Sequence, residues 1–145
     1  MKPVVIDASV AIKWVVEEAG TADALTILKS AALKAPDLIL AECANILWKK
    51  FERKELLKDE ALMAARLIQQ VDMEIYTARS LLEAATELAI ELNHPAYDCI
   101  YLALALQNGW PFITADSRLL SRLVQVDATR FKDVVLSLAD AATII

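Results

Sequence analysis

Asp7, Glu42, Asp98 and Asp116 each stand in strongly apolar sequence: VVIDAS, PDLILAECAN, AYDCIYLALAL and PFITADSRLL. Carboxylates in such settings cap helices, take up protons or hold a cation. Two like charges about 4 Å apart repel by about 4 kcal/mol at an effective dielectric near 20. Acids that converge on one point therefore bind protons or a divalent ion. Taken singly, Asp116 after Thr114 can cap a helix, Asp98 in a first turn suits the helix dipole, and Asp7 can fix the turn into Ser9. Glu42, inside LILAECANIL, has no such local role, and an isolated carboxylate is costly to bury there. One shared cation accounts for all four; three unrelated local roles leave Glu42 over.

The rest of the sequence narrows the chemistry. His94 is the only histidine, which removes a His-rich zinc site. It precedes Pro95 and reads as a structural or surface residue. All-oxygen ligation suits a hard cation, Mg²⁺ or Mn²⁺. Cys43 and Cys99 each directly follow an acid, but adjacent helical residues point about 100° apart. They read as buried, reduced thiols. There is no GxSxG nucleophile elbow, and with Gly20 and Gly109 as the only glycines there is no glycine-rich phosphate loop.

The elements that must position these acids follow from the apolar periodicity. Residues 3–7, PVVID, are a short β-branched run and read as a buried strand. Ser9 is expected to cap the helix after it, whose apolar face holds Val10, Trp14 and Val15. Thr21 opens a second helix, TADALTILKSAAL. Pro36 and Asp37 start a third, with Leu40, Cys43, Leu47, Trp48 and Phe51 toward the core. ERKELLKDE is a charged turn before a helix over 59–71. MEIYTA reads as a strand, and a helix follows over 79–92. Asn93, His94 and Pro95 break the chain ahead of the helix YDCIYLALALQN. PFITA is a strand, DSRLLSRLV a helix and VVLSL a last strand. Strands alternating with helices predict an α/β fold with a mainly parallel sheet. Ligands in such sheets bind beyond the carboxyl ends of the strands, where Asp7 and Asp116 fall.

At 145 residues the chain is expected to be one domain, 1–145. A net charge of −5 argues against a broad, non-specific grip on nucleic acid. Hydrophobic residues make up 57%, so either the interior is rich or apolar surface is kept for a partner. Asp7 interrupts the first apolar stretch, and no window approaches the roughly 18 apolar residues of a membrane span. A cytoplasmic protein with no membrane association is expected.

The four acidic blocks together resemble a PIN domain, and in particular the VapC-type toxins of toxin–antitoxin pairs. VVIDASVAIKWV is similar to the opening strand of that family, with its first acid and the Ser or Thr two residues on. PDLILAECANILWK resembles the second motif, whose glutamate lies six residues after the proline. AYDCIYLALAL resembles the third and FITADSRL the fourth. The resemblance covers nearly the whole chain. It implies a PIN-like three-layer α/β/α fold around a central, mainly parallel sheet of about five strands. It also implies an endoribonuclease that hydrolyses RNA phosphodiester bonds with Mg²⁺ or Mn²⁺. By it, Asp7, Glu42, Asp98 and Asp116 are the catalytic, metal-binding quartet, and Ser9 and Thr114 are polar supports of the metal and its waters. A small antitoxin covering the active site, and toxin homodimers, are implied as well.

RNA must reach this acidic chain along a local basic rim. Lys13, Lys49, Lys50, Arg53, Arg118 and Arg122 are the candidates, with Lys13, Lys49 and Arg118 following the acidic motifs most closely. The alternative reading is a non-catalytic PIN-like module acting through protein contacts. A nuclease cutting DNA or flaps stays open, because its metal chemistry is the same. Receiver and phosphatase sites also put an acid after a first strand, but they need further acids where this chain has Ala8 and Ser9.

Overall fold

The structure, a computed structural model, describes residues 1–127 and 129–145. Five strands form one sheet: β1 (Lys2–Ile6), β2 (Ala31–Pro36), β3 (Met73–Tyr76), β4 (Phe112–Thr114) and β5 (Val135–Ser137). Their order is β3-β2-β1-β4-β5 and every pairing is parallel. Val4, Val5 and Ile6 are fully buried in the central strand, as expected for a strand covered on both faces. The register sets Val5 beside Lys34 on one side and Phe112 on the other.

Among the described residues, eight helices connect or follow the strands: α1 (Ala8–Val15), α2 (Thr21–Ser30), α3 (Leu38–Glu52), α4 (Lys58–Gln69), α5 (Leu82–Leu92), α6 (Ala96–Asn108), α7 (Ser117–Asp127) and α8 (Leu138–Ile144). A 3-10 turn, Ala78–Leu81, leads into α5. The path steps outward from β1 to β2 to β3, then returns across the sheet to β4 and β5. With right-handed crossovers, that reversal sends α1–α4 to one face and α5–α7 to the other. α5 packs on α6, and α6 lies against β1, β2 and β4. The strand order reverses at β1, so the crevice between the carboxyl ends of β1 and β4 is the switch point where such sheets hold ligands.

Two left-handed residues aim α6 at that edge. Asn93, at φ +49°, ends α5, and Gly109, at φ +67°, ends α6. Because Gly109 turns the chain into the start of β4, the first turn of α6 stands about 20 Å away, at the carboxyl edge of the sheet.

Four sequence expectations need correction. AALKAP is the strand β2, not the end of a helix; its inward residues Ala31, Leu33 and Ala35 alternate with half-buried ones. Alanine and lysine are weak strand formers, and it is the pairing with β1 and β3 that holds them extended. Pro36 therefore closes a strand and does not open α3. The buried stripe of α3 is Ile39, Cys43 and Leu47, whereas Leu40, Trp48 and Phe51 are exposed. The last segment is a short strand followed by α8, capped by Ser137.

Candidate active site

All four acids line one cavity of about 470 Å³ at the carboxyl edge of the sheet. Each comes from a different element. Asp7 directly follows β1, Glu42 is on α3, Asp98 is in the first turn of α6, and Asp116 follows β4.

Asp7 is the most constrained. It caps α1, accepting from Val10 N–H at 3.3 Å. Its Oδ1 also accepts from the Ser9 hydroxyl, and its Oδ2 from the Thr114 hydroxyl, both at 2.5 Å. Each hydroxyl in turn accepts a backbone N–H from the loop after β4: Ser9 from Ala115 and Thr114 from Asp116, both at 3.0 Å. The cap expected of Ser9 thus belongs to Asp7, and Ser9 supports it. The two hydroxyls lock the aspartate's orientation and tie the ends of β1 and β4 together. Burial pushes the Asp7 carboxyl from its usual 3.8 up to about 6; the Ser9, Thr114 and Val10 donors pull the other way, and the Asp98 charge adds to the rise.

Glu42 accepts from the Tyr101 hydroxyl at 2.5 Å. Burial raises its pKa, Tyr101 opposes this and Asp98 reinforces it. Tyr101 is itself fully buried and stacked on Phe112, with ring centroids 5.6 Å apart. Asp98 pairs with His94, Nε2 to Oδ2 at 2.6 Å. Asp116 Oδ1 accepts from Arg118 N–H at 2.9 Å, so it stabilises the first turn of α7 while lining the cavity.

Among the described residues, no three acidic, histidine or cysteine side chains are drawn together as a ready-made cage for one ion. Asp7, Glu42 and Asp98 each turn toward a protein partner. Mutual repulsion of uncompensated carboxylates favours that outcome. The donor set itself, four carboxylates in one cavity with neutral hydroxyls behind them, fits a hard divalent cation.

Four site neighbours went unread in the sequence. His94, taken as structural or surface, meets Asp98 at i,i+4 spacing. Tyr101 lies three residues beyond Asp98. Asn45 and the exposed Tyr97 line the cavity itself. Cys43 and Cys99 are buried, as expected, and burial pushes their thiols up to about 12 and about 11.

The basic residues divide. Lys49 lines the cavity, and Arg118 extends into solvent beside Asp116, 93% exposed. Lys13 turns elsewhere: it is largely buried and ion-paired with Glu18 at 3.0 Å, and Lys50 shares that glutamate at 3.2 Å. Arg122 donates to the Leu92 and Asn93 carbonyls and so docks α7 onto the end of α5. Among the described residues, no helix is long and apolar enough to cross a membrane.

Comparison with known proteins fits this geometry. The chain is 29% identical over 124 residues to Ribonuclease VapC3 of Pyrobaculum aerophilum, covering 82% of this chain and 92% of that one. The crystal structure of PAE2754 from Pyrobaculum aerophilum superposes with a TM-score of 0.68 at 18% identity, over 99% of this chain and 88% of that one. VapC20 of Mycobacterium tuberculosis, described as a toxin that cleaves the sarcin–ricin loop, gives 0.63 at 15% identity, over 81% and 93%. The model of the PIN domain family matches residues 4–124. With acids from four elements gathered at the switch point of a five-stranded parallel sheet, the chain belongs to the PIN domain family.

Proposed function

We propose that this protein is a metal-dependent endoribonuclease that hydrolyses RNA phosphodiester bonds, and the toxin of a toxin–antitoxin pair. The observation that carries the reading is the shared cavity: four carboxylates from four separate elements, at the one edge of the sheet suited to a ligand. Similarity to a protein named as a ribonuclease supports RNA over DNA as the substrate.

Asp7 and Asp98 would ligate a Mg²⁺ or Mn²⁺ ion directly, with Glu42 and Asp116 holding it through water or completing a second position. When bound, such an ion lowers the pKa of a water and offsets charge on the phosphorane-like transition state. The protein's own groups do the rest. Ser9 and Thr114 hold the Asp7 carboxylate in one orientation, and His94 orients Asp98. Glu42, whose proton affinity burial raises, is suited to position an attacking water and take its proton. Lys49 in the cavity and Arg118 beside Asp116 offer charge to the RNA backbone.

Exposed apolar side chains support a protein partner. Leu40, Trp48 and Phe51 of α3 and Leu62, Met63 and Leu67 of α4 are all exposed, more than single surface hydrophobes require. A small antitoxin, a second copy of the chain, or both would cover such a surface. Residues 1–145 act as one domain in the cytoplasm on this reading.

The test is incubation of purified protein with structured RNAs, with Mn²⁺ or Mg²⁺ and with EDTA. Cleavage should need the ion, and Asp7→Asn or Asp98→Asn should abolish it while the circular dichroism spectrum is unchanged. Undiminished cleavage by both variants refutes the assignment. Metal binding without cleavage would favour the non-catalytic module. For the toxin role, a small reading frame immediately upstream should encode a DNA-binding protein that co-purifies with this chain.

A further inference from the structure

Six residues of α3 line the cavity: Leu38, Ala41, Glu42, Asn45, Ile46 and Lys49. Their spacing of three and four residues makes them a single helical face, about 16 Å long at 1.5 Å per residue. Along it runs a sequence of chemistries. Glu42 stands near the other acids, Asn45 one turn further, and Lys49 one turn further again. Neither Asn45 nor Lys49 has a side-chain partner among the described residues, and both are exposed. Across the cavity stands Tyr97, the residue before Asp98. The residue is 64% exposed although it lines the cavity, and Pro95 fixes the turn that presents it. A tyrosine held in the open beside a catalytic carboxylate contributes little to the core, which already takes Tyr101 from the same helix.

We propose that Tyr97 is a base-stacking platform for unpaired RNA, with the Asn45–Lys49 face of α3 as the opposite wall of the groove. The inference rests on the ribonuclease reading and specifies how its substrate is held. Tyr97 takes the face of the base next to the scissile phosphate, the amide of Asn45 reads a base edge, and Lys49 meets a phosphate further along. Recognition of this kind needs splayed bases and so selects loops and single strands over duplex. It also suits a chain with net charge −5, because stacking gives affinity that backbone electrostatics cannot.

The experiment measures equilibrium binding of a fluorescent single-stranded RNA to protein carrying Asp7→Asn, so that the RNA survives. In that background Tyr97→Ala should weaken binding about tenfold, within the range for losing one base–aromatic stack. Tyr97→Phe should bind like the parent, and Tyr97→Trp at least as tightly. RNAs with one abasic nucleotide at successive positions should reveal a single position that weakens binding to the parent but not to Tyr97→Ala. Unchanged binding by Tyr97→Ala overturns the stacking role alone. Equal losses for Phe and Ala overturn it in favour of the hydroxyl. Absence of any RNA binding overturns it together with the ribonuclease reading, and continued cleavage by Asp7→Asn separately refutes the catalytic assignment.

Discussion

Replacing Asp7 by asparagine should stabilise the metal-free protein at pH 8. The carboxyl is 5% exposed, and its pKa rises from 3.8 to about 6 on folding. A raised carboxyl binds its proton more tightly in the folded state. Its contribution to stability is therefore full below about 3.8 and is lost as pH rises through about 6. The shift of about two units corresponds to about 3 kcal/mol of destabilisation above pH 7, at 1.36 kcal/mol per unit. Asparagine removes that charge and keeps the cap on Val10. It also sets an N–H₂ against the Thr114 hydroxyl, which loses its acceptor, at about 1 kcal/mol. The net gain is about 2 kcal/mol, or about 6 °C in Tm for a chain of this size. Thermal unfolding of both proteins in EDTA from pH 4.5 to 8 measures it. The variant should melt higher at pH 8, and the difference should vanish or reverse near pH 4.5. Millimolar Mn²⁺ should raise the Tm of the parent more than that of the variant. A variant that melts lower than the parent at pH 8, or a difference that does not vary with pH, refutes the claim that Asp7 is an uncompensated charge.

Thr114→Val, at a fully buried position, removes the donor to Asp7 and the acceptor for Asp116 N–H; a loss of about 1–3 kcal/mol at pH 8 is expected from urea unfolding, and a neutral result would sink the tie between β1 and β4. Cys43 and Cys99 should react with a disulfide reagent at pH 8 more than about 100-fold slower than free cysteine, because burial keeps both thiols protonated; full reactivity should appear only in denaturant. RNA affinity should depend weakly on salt. With Lys49 and Arg118 as the phosphate contacts, the slope of log K against log salt should be about −1.4, and a slope near −5 would mean that a larger basic surface exists.

The acids were legible because each breaks an apolar run, and apolar runs are what a sheet and its covering helices are made of. Their convergence followed from the parallel-sheet rule, since Asp7 and Asp116 end neighbouring strands. What escaped was set by tertiary context. Ala31–Pro36 has no strand propensity of its own and is a strand because β1 and β3 pair with it on either side. Leu40, Trp48 and Phe51 look like core by type, but the angular position of α3 is fixed by Ile39, Cys43 and Leu47 beneath it. His94, a histidine before proline, reads as a turn residue. Its i,i+4 relation to Asp98 spans the break between two helices, where helical spacing gave no warrant. The roles of Ser9 and Thr114 also needed coordinates, because they join residues 107 positions apart in sequence.

On the ribonuclease reading, the charges bear on how an acidic chain would admit RNA at one place. Most of the cations with resolved partners serve the fold. Lys13 and Lys50 converge on Glu18, whose burial raises its proton affinity but whose two lysines hold its pKa below the ordinary range. Lys34 pairs with Glu74 on the neighbouring strand and lies over the Trp110 ring. Arg130 pairs with Glu91, and Arg122 is taken up by carbonyls. Lys49 lines the acid-lined cavity from α3, and Arg118, at the start of α7, stands beside Asp116 at 3.8 Å. On our reading, a phosphate entering this cavity would meet Lys49, with Arg118 beside Asp116, and a bound divalent ion. On that reading, the acids that repel RNA without the ion would attract it once the ion is bound, which would couple cation binding to substrate binding through one cavity.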